Sequence, residues 1–207
     1  MEAISLVFII TSLVLIITPG QDMILVMSRS ISQGRKAGIM TALGVSVGLV
    51  GHTLLATFGL GAILLASETL FTIVKFVGAG YLFYLGIKLL QSDDDKLSMN
   101  NLNKISYRKM FTQGLLSNLS NPKIVIFYFS YLPQFVKPDD GQITLQLFVL
   151  GISFAIITFF VKGPVGYIGG SLSSYIRNRP SILSKIYKTS GIIFIGLGLK
   201  LAFEKRI

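Results

Sequence analysis

Asp22 is the first residue that demands a chemical explanation. It stands three residues after Pro19, in Pro19-Gly20-Gln21-Asp22, and is followed by the apolar run Met23-Ile24-Leu25-Val26-Met27. A carboxylate within hydrocarbon costs about 2.5–3.5 kcal/mol or more, so it normally faces a partner or a wet cavity. Pro19 removes a backbone donor, and backbone groups freed at membrane depth are tolerated where they line such a cavity. Asp22 could therefore carry a proton or bind a substrate ammonium. It could equally cap a helix that restarts after the break.

A second interruption lies at Asn118-Leu119-Ser120-Asn121-Pro122-Lys123. Asn118 and Asn121 offer side-chain hydrogen bonds to backbone groups left open by Pro122. Lys123 could neutralise Asp22 or hold a substrate carboxylate; the alternative is an ammonium that reaches an interface along its own stem. Gly44, Gly48 and His52 recur every four residues and so share one helix face. Two glycines there let another helix approach closely, which turns His52 towards the protein interior. With an unperturbed pKa of about 6.5, this histidine could titrate during transport, or it could be a neutral hydrogen-bonded link between helices.

These residues must be positioned by membrane-spanning helices. Hydrophobic residues make up 52% of the 207-residue chain and charged residues 14%, with a mean hydropathy of +0.70. Soluble domains carry about 25% charged residues, so such a chain could not cover its surface in water. Its apolar residues fall in blocks of about 20, the length that crosses a hydrocarbon core of about 30 Å. The spans read as 4–27, 39–65, 70–90, 111–132, 143–168 and 186–203. The first block lacks a basic leader and is followed by more apolar sequence, so it reads as a span, not a signal peptide. The absence of cysteine excludes disulfides, thiolate metal sites and thiol electron relays in this chain. The net charge of +10 sits in short loops without a basic-aromatic surface, which argues against nucleic acid.

The fold class expected is all-α, a polytopic membrane protein of about six transmembrane helices. Basic residues cluster after the first, third and fifth spans, placing those loops in the cytoplasm and both termini outside. The polar segment 92–109 reads as a cytoplasmic linker between a three-helix repeat at 1–91 and a second at 110–207. The halves look related. Leu85-Gly86-Ile87-Lys88-Leu89 closes the third span and Leu197-Gly198-Leu199-Lys200-Leu201 the sixth, while Pro19 and Pro122 interrupt the first and fourth. Three crossings per half make the repeat inverted, a construction of secondary transporters. Lys162, late in the fifth span, reads as a cytoplasmic-interface lysine that snorkels.

These landmarks, in this order, resemble the LysE/RhtB family of amino-acid exporters over nearly the whole chain. The resemblance is carried by Pro19-Gly20-Gln21-Asp22, Gln33-Gly34-Arg35-Lys36-Ala37-Gly38, the Gly44, Gly48, His52 face and the run from Gly78 to Gly86. Gly114, Asn118, Asn121-Pro122-Lys123 and Pro133-Gln134-Phe135 carry it in the second half. It implies export of amino acids or close derivatives across a bacterial inner membrane by proton antiport. The chain departs from the family pattern at Gln21, where relatives usually carry a second proline. It departs again in the fifth span, where many relatives carry an acid and this chain has Phe159, Phe160 and Lys162.

The expected substrate and proton site thus comprises Pro19, Gly20, Asp22, His52, Asn118, Asn121, Pro122 and Lys123. No cofactor or metal is expected. The expected partners are an amino acid, protons and membrane lipid, with a homo-oligomer left open. A non-transporting membrane subunit is the main alternative. An intramembrane enzyme has little support, because one histidine and one buried acid on different spans do not make a nucleophile and base.

Overall fold

The computed structural model describes residues 6–60, 68–91, 104–137, 141–177 and 180–203. The linker residues 92–103, with the acidic run Asp93-Asp94-Asp95, lie outside the described residues. All described secondary structure is helical. Helix α1 spans Leu6–Ile17 and α2 Gln21–Gln33, and the two meet at 55°. Helix α3, Arg35–Leu55, continues as a π turn over Ala56–Leu60. Helix α4 spans Glu68–Leu90 and α5 Tyr107–Leu119. Helix α6, Pro122–Ile126, runs on through a π turn at Phe127–Tyr131 and a 3-10 turn at Leu132–Phe135. Helices α7, Ile143–Arg177, and α8, Pro180–Phe203, complete the chain.

Several helices outrun the apolar blocks that announced them. Helix α2 ends at Gln33, not near residue 27; α7 reaches Arg177; α5 starts at Tyr107; and α8 starts at Pro180. Hydropathy marks only the stretch that lipid covers. A helix continues into the polar zone until its backbone is capped, as at Ser106, whose hydroxyl accepts from Lys109 N at 3.3 Å before α5. Among the described residues, three helices are long and apolar enough to cross a membrane, or four if the bent α1–α2 pair is one span.

Burial is inverted relative to a water-soluble protein. Asp22, Arg29, His52, Asn118, Asn121 and Lys162 are all buried, whereas Leu6, Phe58, Phe160 and Phe203 are at least 70% exposed. Water would reverse that arrangement; lipid accommodates it.

Helix α3 lies at the centre, packed against both α5 and α7, while α4 pairs with α8. Close approach requires the glycines. A Cβ at Gly44 would lie 2.0 Å from the Phe111 carbonyl oxygen, one at Gly114 2.3 Å from that of Thr41, and one at Gly48 2.8 Å from Asn118 Cβ. The Gly44, Gly48, His52 face is thus the α3–α5 seam, with backbone on backbone. The α4–α8 contact is reciprocal. A Cβ at Gly86 would lie 2.8 Å from Gly191 O and 3.0 Å from Ile195 N, and one at Gly198 2.9 Å from Ala79 O and 3.2 Å from Phe83 N. On the side of the basic loops, Gln33 exchanges two 2.9 Å hydrogen bonds with the Ile105 backbone and Arg29 donates to Gln113 Oε1 at 2.7 Å.

Gly44→Ala should therefore force α3 and α5 apart, destabilising the protein by about 1–3 kcal/mol or more. Gly80→Ala should behave as wild type, because nothing lies within 4 Å of its added Cβ. Thermal unfolding in detergent compares the two. Equal stability would contradict the close α3–α5 seam.

Candidate functional site

Both helix breaks begin with the same covalent fact. In a continuous helix the carbonyl of residue i accepts from the N–H of residue i+4, and proline has none. Pro19 therefore leaves the Leu15 carbonyl open, and Pro122 leaves that of Asn118 open. The Leu15 carbonyl is taken by a side chain from elsewhere in the chain, and the Asn118 carbonyl, which accepts locally from Asn121 N at 2.9 Å, gains a second donor in the same way. Lys123 Nζ donates to Leu15 O at 3.1 Å and to Thr18 O at 3.2 Å. His52 Nε2 lies 3.1 Å from Asn118 O; a carbonyl only accepts, so Nε2 carries the proton. Lys123 thus places an ammonium on the last carbonyls of α1, the negative end of that helix. Gly20, in extended backbone, sits beneath it, with its virtual Cβ 3.4 Å from Lys123 Nζ.

The second break also builds its own restart. Asn121 caps α6, its side chain accepting from Lys123 N at 3.1 Å, and Pro122 takes the first helical position. The same Asn121 amide points its nitrogen at Asp22.

Asp22 is the meeting point. Its Oδ1 accepts from Ser117 Oγ at 2.9 Å. Its Oδ2 accepts from Asn118 Nδ2 at 2.8 Å and Asn121 Nδ2 at 3.1 Å, and forms an ion pair with Lys162 Nζ at 3.4 Å. Four donors from α5, the second break and α7 thus converge on one buried carboxylate of α2. Gln21 donates from Nε2 to Ser117 O at 2.6 Å and ties the two breaks together again.

These groups surround a cavity of about 10 Å³ lined by Asp22, Asn118, Asn121, Lys123, Thr158 and Lys162, with Met23, Leu49 and Phe154 as its apolar wall. It has room for about one water molecule. Pro19 and Pro122 act through the backbone. His52 reaches the cluster only through the Asn118 carbonyl, and its Nδ1 has no partner among the described residues.

Three readings of the sequence are corrected. Lys162 does not snorkel. It is buried, and α7 continues to Arg177, fifteen residues or about 22 Å beyond it. Lys123 does not pair directly with Asp22, because the α1 carbonyls hold its ammonium. Nor is Asp22 a helix cap: the cap position of α2 is Gly20, and no side chain bonds there. Ser117 was missed, having no signal beyond lying one residue before Asn118. Lys162 had one, as a lysine late in the apolar run of the fifth span.

Residues 13–205 match the LysE type translocator family. The chain belongs to that family. The translocator is 34% identical to the uncharacterized membrane protein YrhP of Bacillus subtilis over 205 residues, covering 94% of this chain and 96% of the other. An uncharacterized membrane protein of Vibrio cholerae is 30% identical, covering 97% of both chains. A leucine efflux protein of Salmonella choleraesuis is 26% identical, covering 94% of this chain and 92% of the other. No solved structure matches the chain. The translocator is a multi-pass protein of the bacterial cytoplasmic membrane.

Because the Asp22–Lys162 pair is buried within the translocator, its two members should be energetically coupled. A cycle of Asp22→Asn, Lys162→Gln and the double variant, followed by thermal unfolding in detergent, should give a coupling of about 1–3 kcal/mol. Additive effects would mean that the pair does not hold α2 to α7.

Proposed function

We propose that the translocator exports an amino acid by alternating access, with Asp22 as the group on which substrate and proton exchange. The observation that carries this reading is the convergence of both helix breaks on one buried carboxylate beside a cavity. An amino acid needs a partner for its ammonium and one for its carboxylate, and Asp22 and the lysines beside it supply both. The leucine efflux relatives agree with an amino-acid cargo. At about 10 Å³ the cavity is too small for any amino acid, so binding requires the helices to part, as alternating access demands.

An inverted repeat of three plus three helices, with both termini outside, is the architecture proposed for that motion. It is supported by the reciprocal α4–α8 contact. The motif at 85–89 lies 112 residues before its counterpart at 197–201. The same offset carries Ala79 and Phe83, which face Gly198, onto Gly191 and Ile195, which face Gly86. Such exchange of contacts is what a two-fold relation produces. The breaks are reciprocal too, each proline-freed carbonyl accepting from a side chain of the other half, that of Asn118 in addition to Asn121 N.

In liposomes loaded with labelled leucine, glutamate or lysine, an imposed pH gradient should drive efflux of at least one by the wild type. Asp22→Asn preserves shape and part of the hydrogen bonding but cannot carry a proton. It should reach the membrane and lower gradient-driven efflux by about tenfold or more. Unchanged efflux in a well-expressed Asp22→Asn variant would remove Asp22 from the coupling.

A further inference from the structure

We infer that Lys162, acting with Lys123, makes the cavity a reader of carboxylates that rejects amino acids carrying net positive charge. The inference rests on the amino-acid cargo proposed above and concerns which members of that class are moved.

Counting charges gives the first argument. The ionisable side chains lining the cavity are one carboxylate, Asp22, and two amines, Lys123 and Lys162. With both amines charged the trio carries +1. With one of them neutral it carries zero. In neither state does it offer a negative site to a second positive charge on the substrate. A zwitterion adds no net charge, whereas a lysine- or arginine-like substrate adds one beside an ammonium in a low-dielectric surround.

Counting hydrogen-bonding capacity gives the second. Lys123 uses two of its three N–H donors and Lys162 one, among the described residues. Asp22 already accepts four donors, about its full capacity. The cavity therefore has spare donors and few spare acceptors, apart from the unpartnered Asn118 Oδ1. Spare donors suit a carboxylate.

Geometry identifies which donor moves. Lys162 is the third donor on Asp22 Oδ2, and its 3.4 Å contact is the longest of the four. Charge-assisted bonds of this type are about 2.7–2.9 Å when fully formed. Lys162 is thus the most weakly held partner of Asp22. An entering amino acid can draw Lys162 to its carboxylate and set its own ammonium against Asp22 in exchange. Lys162 occupies, in the empty carrier, the place that the substrate ammonium takes in the loaded one.

The test is efflux from liposomes carrying the wild type or Lys162 variants, each loaded with leucine, glutamate or lysine. Wild type should move leucine or glutamate about tenfold or more faster than lysine. For whichever is moved, the N-acetyl derivative, which keeps the carboxylate and loses the ammonium, should compete. The amide, which keeps the ammonium and loses the carboxylate, should not. Lys162→Gln should narrow the discrimination against lysine, and Lys162→Arg should preserve it. Competition by the amide but not the N-acetyl compound would overturn the inference while leaving export intact, as would lysine moved as fast as leucine. These wild-type measurements decide the matter even if Lys162→Gln fails to assemble. No movement of any of the three would refute the cargo itself, and this inference with it.

Discussion

Two missing N–H groups organise this molecule. Pro19 and Pro122 each deprive the carbonyl four residues earlier of its helical partner, and an unpaired carbonyl in a membrane costs several kcal/mol. The Leu15 carbonyl is met across space by Lys123, while that of Asn118 is met locally by Asn121 N and a second time across space by His52. Those bonds require α1 to meet the second break and α3 to meet the end of α5. The second contact in turn requires backbones close enough that Gly44, Gly48 and Gly114 cannot carry side chains. The same breaks turn Ser117, Asn118 and Asn121 towards Asp22. Local covalent chemistry thus dictates the helix packing, and the packing assembles the polar cluster.

A cluster of this kind is poorly suited to being merely structural. Buried ion pairs often contribute less stability than a well-packed apolar contact, because both ions lose their water. Here the pair also joins α2 to α7 where two helices are already interrupted, against a cavity of water size. Interrupted helices have fewer backbone bonds to break when they move. Long glycine-lined seams let helices slide without unpacking side chains. The carrier function proposed above would draw on both features, the charged cluster at Asp22 and the helix breaks beside it.

Much of this was legible in the sequence, and the reason differs by residue. Pro19 and Pro122 announce themselves because the loss of an N–H is independent of context. Gly44, Gly48 and His52 do so because four-residue spacing fixes a shared helix face. Asp22 stands out because an acid within an apolar run needs a reason. What sequence could not supply was depth and partnership. Lys162 was assigned to an interface by counting apolar residues, but α7 runs on to Arg177, so the count misplaced it. The pairing of Lys123 with the α1 carbonyls, 108 residues away in one case and 105 in the other, leaves no trace in local pattern. Ser117 was invisible because a serine on a helix near a break usually bonds its own backbone.

The central claim is that substrate occupies the space between the two breaks. The chain contains no cysteine, so a single introduced thiol reports without background. Thr158 lines the cavity and is buried, whereas Gln142 is exposed outside it. In the reconstituted Thr158→Cys protein, alkylation by N-ethylmaleimide should be slow, because the cavity opens only transiently, and slower by several-fold with saturating transported amino acid. Alkylation of Gln142→Cys should be fast and indifferent to the amino acid. A Thr158→Cys thiol that reacts at the same rate with and without the amino acid would place the substrate elsewhere.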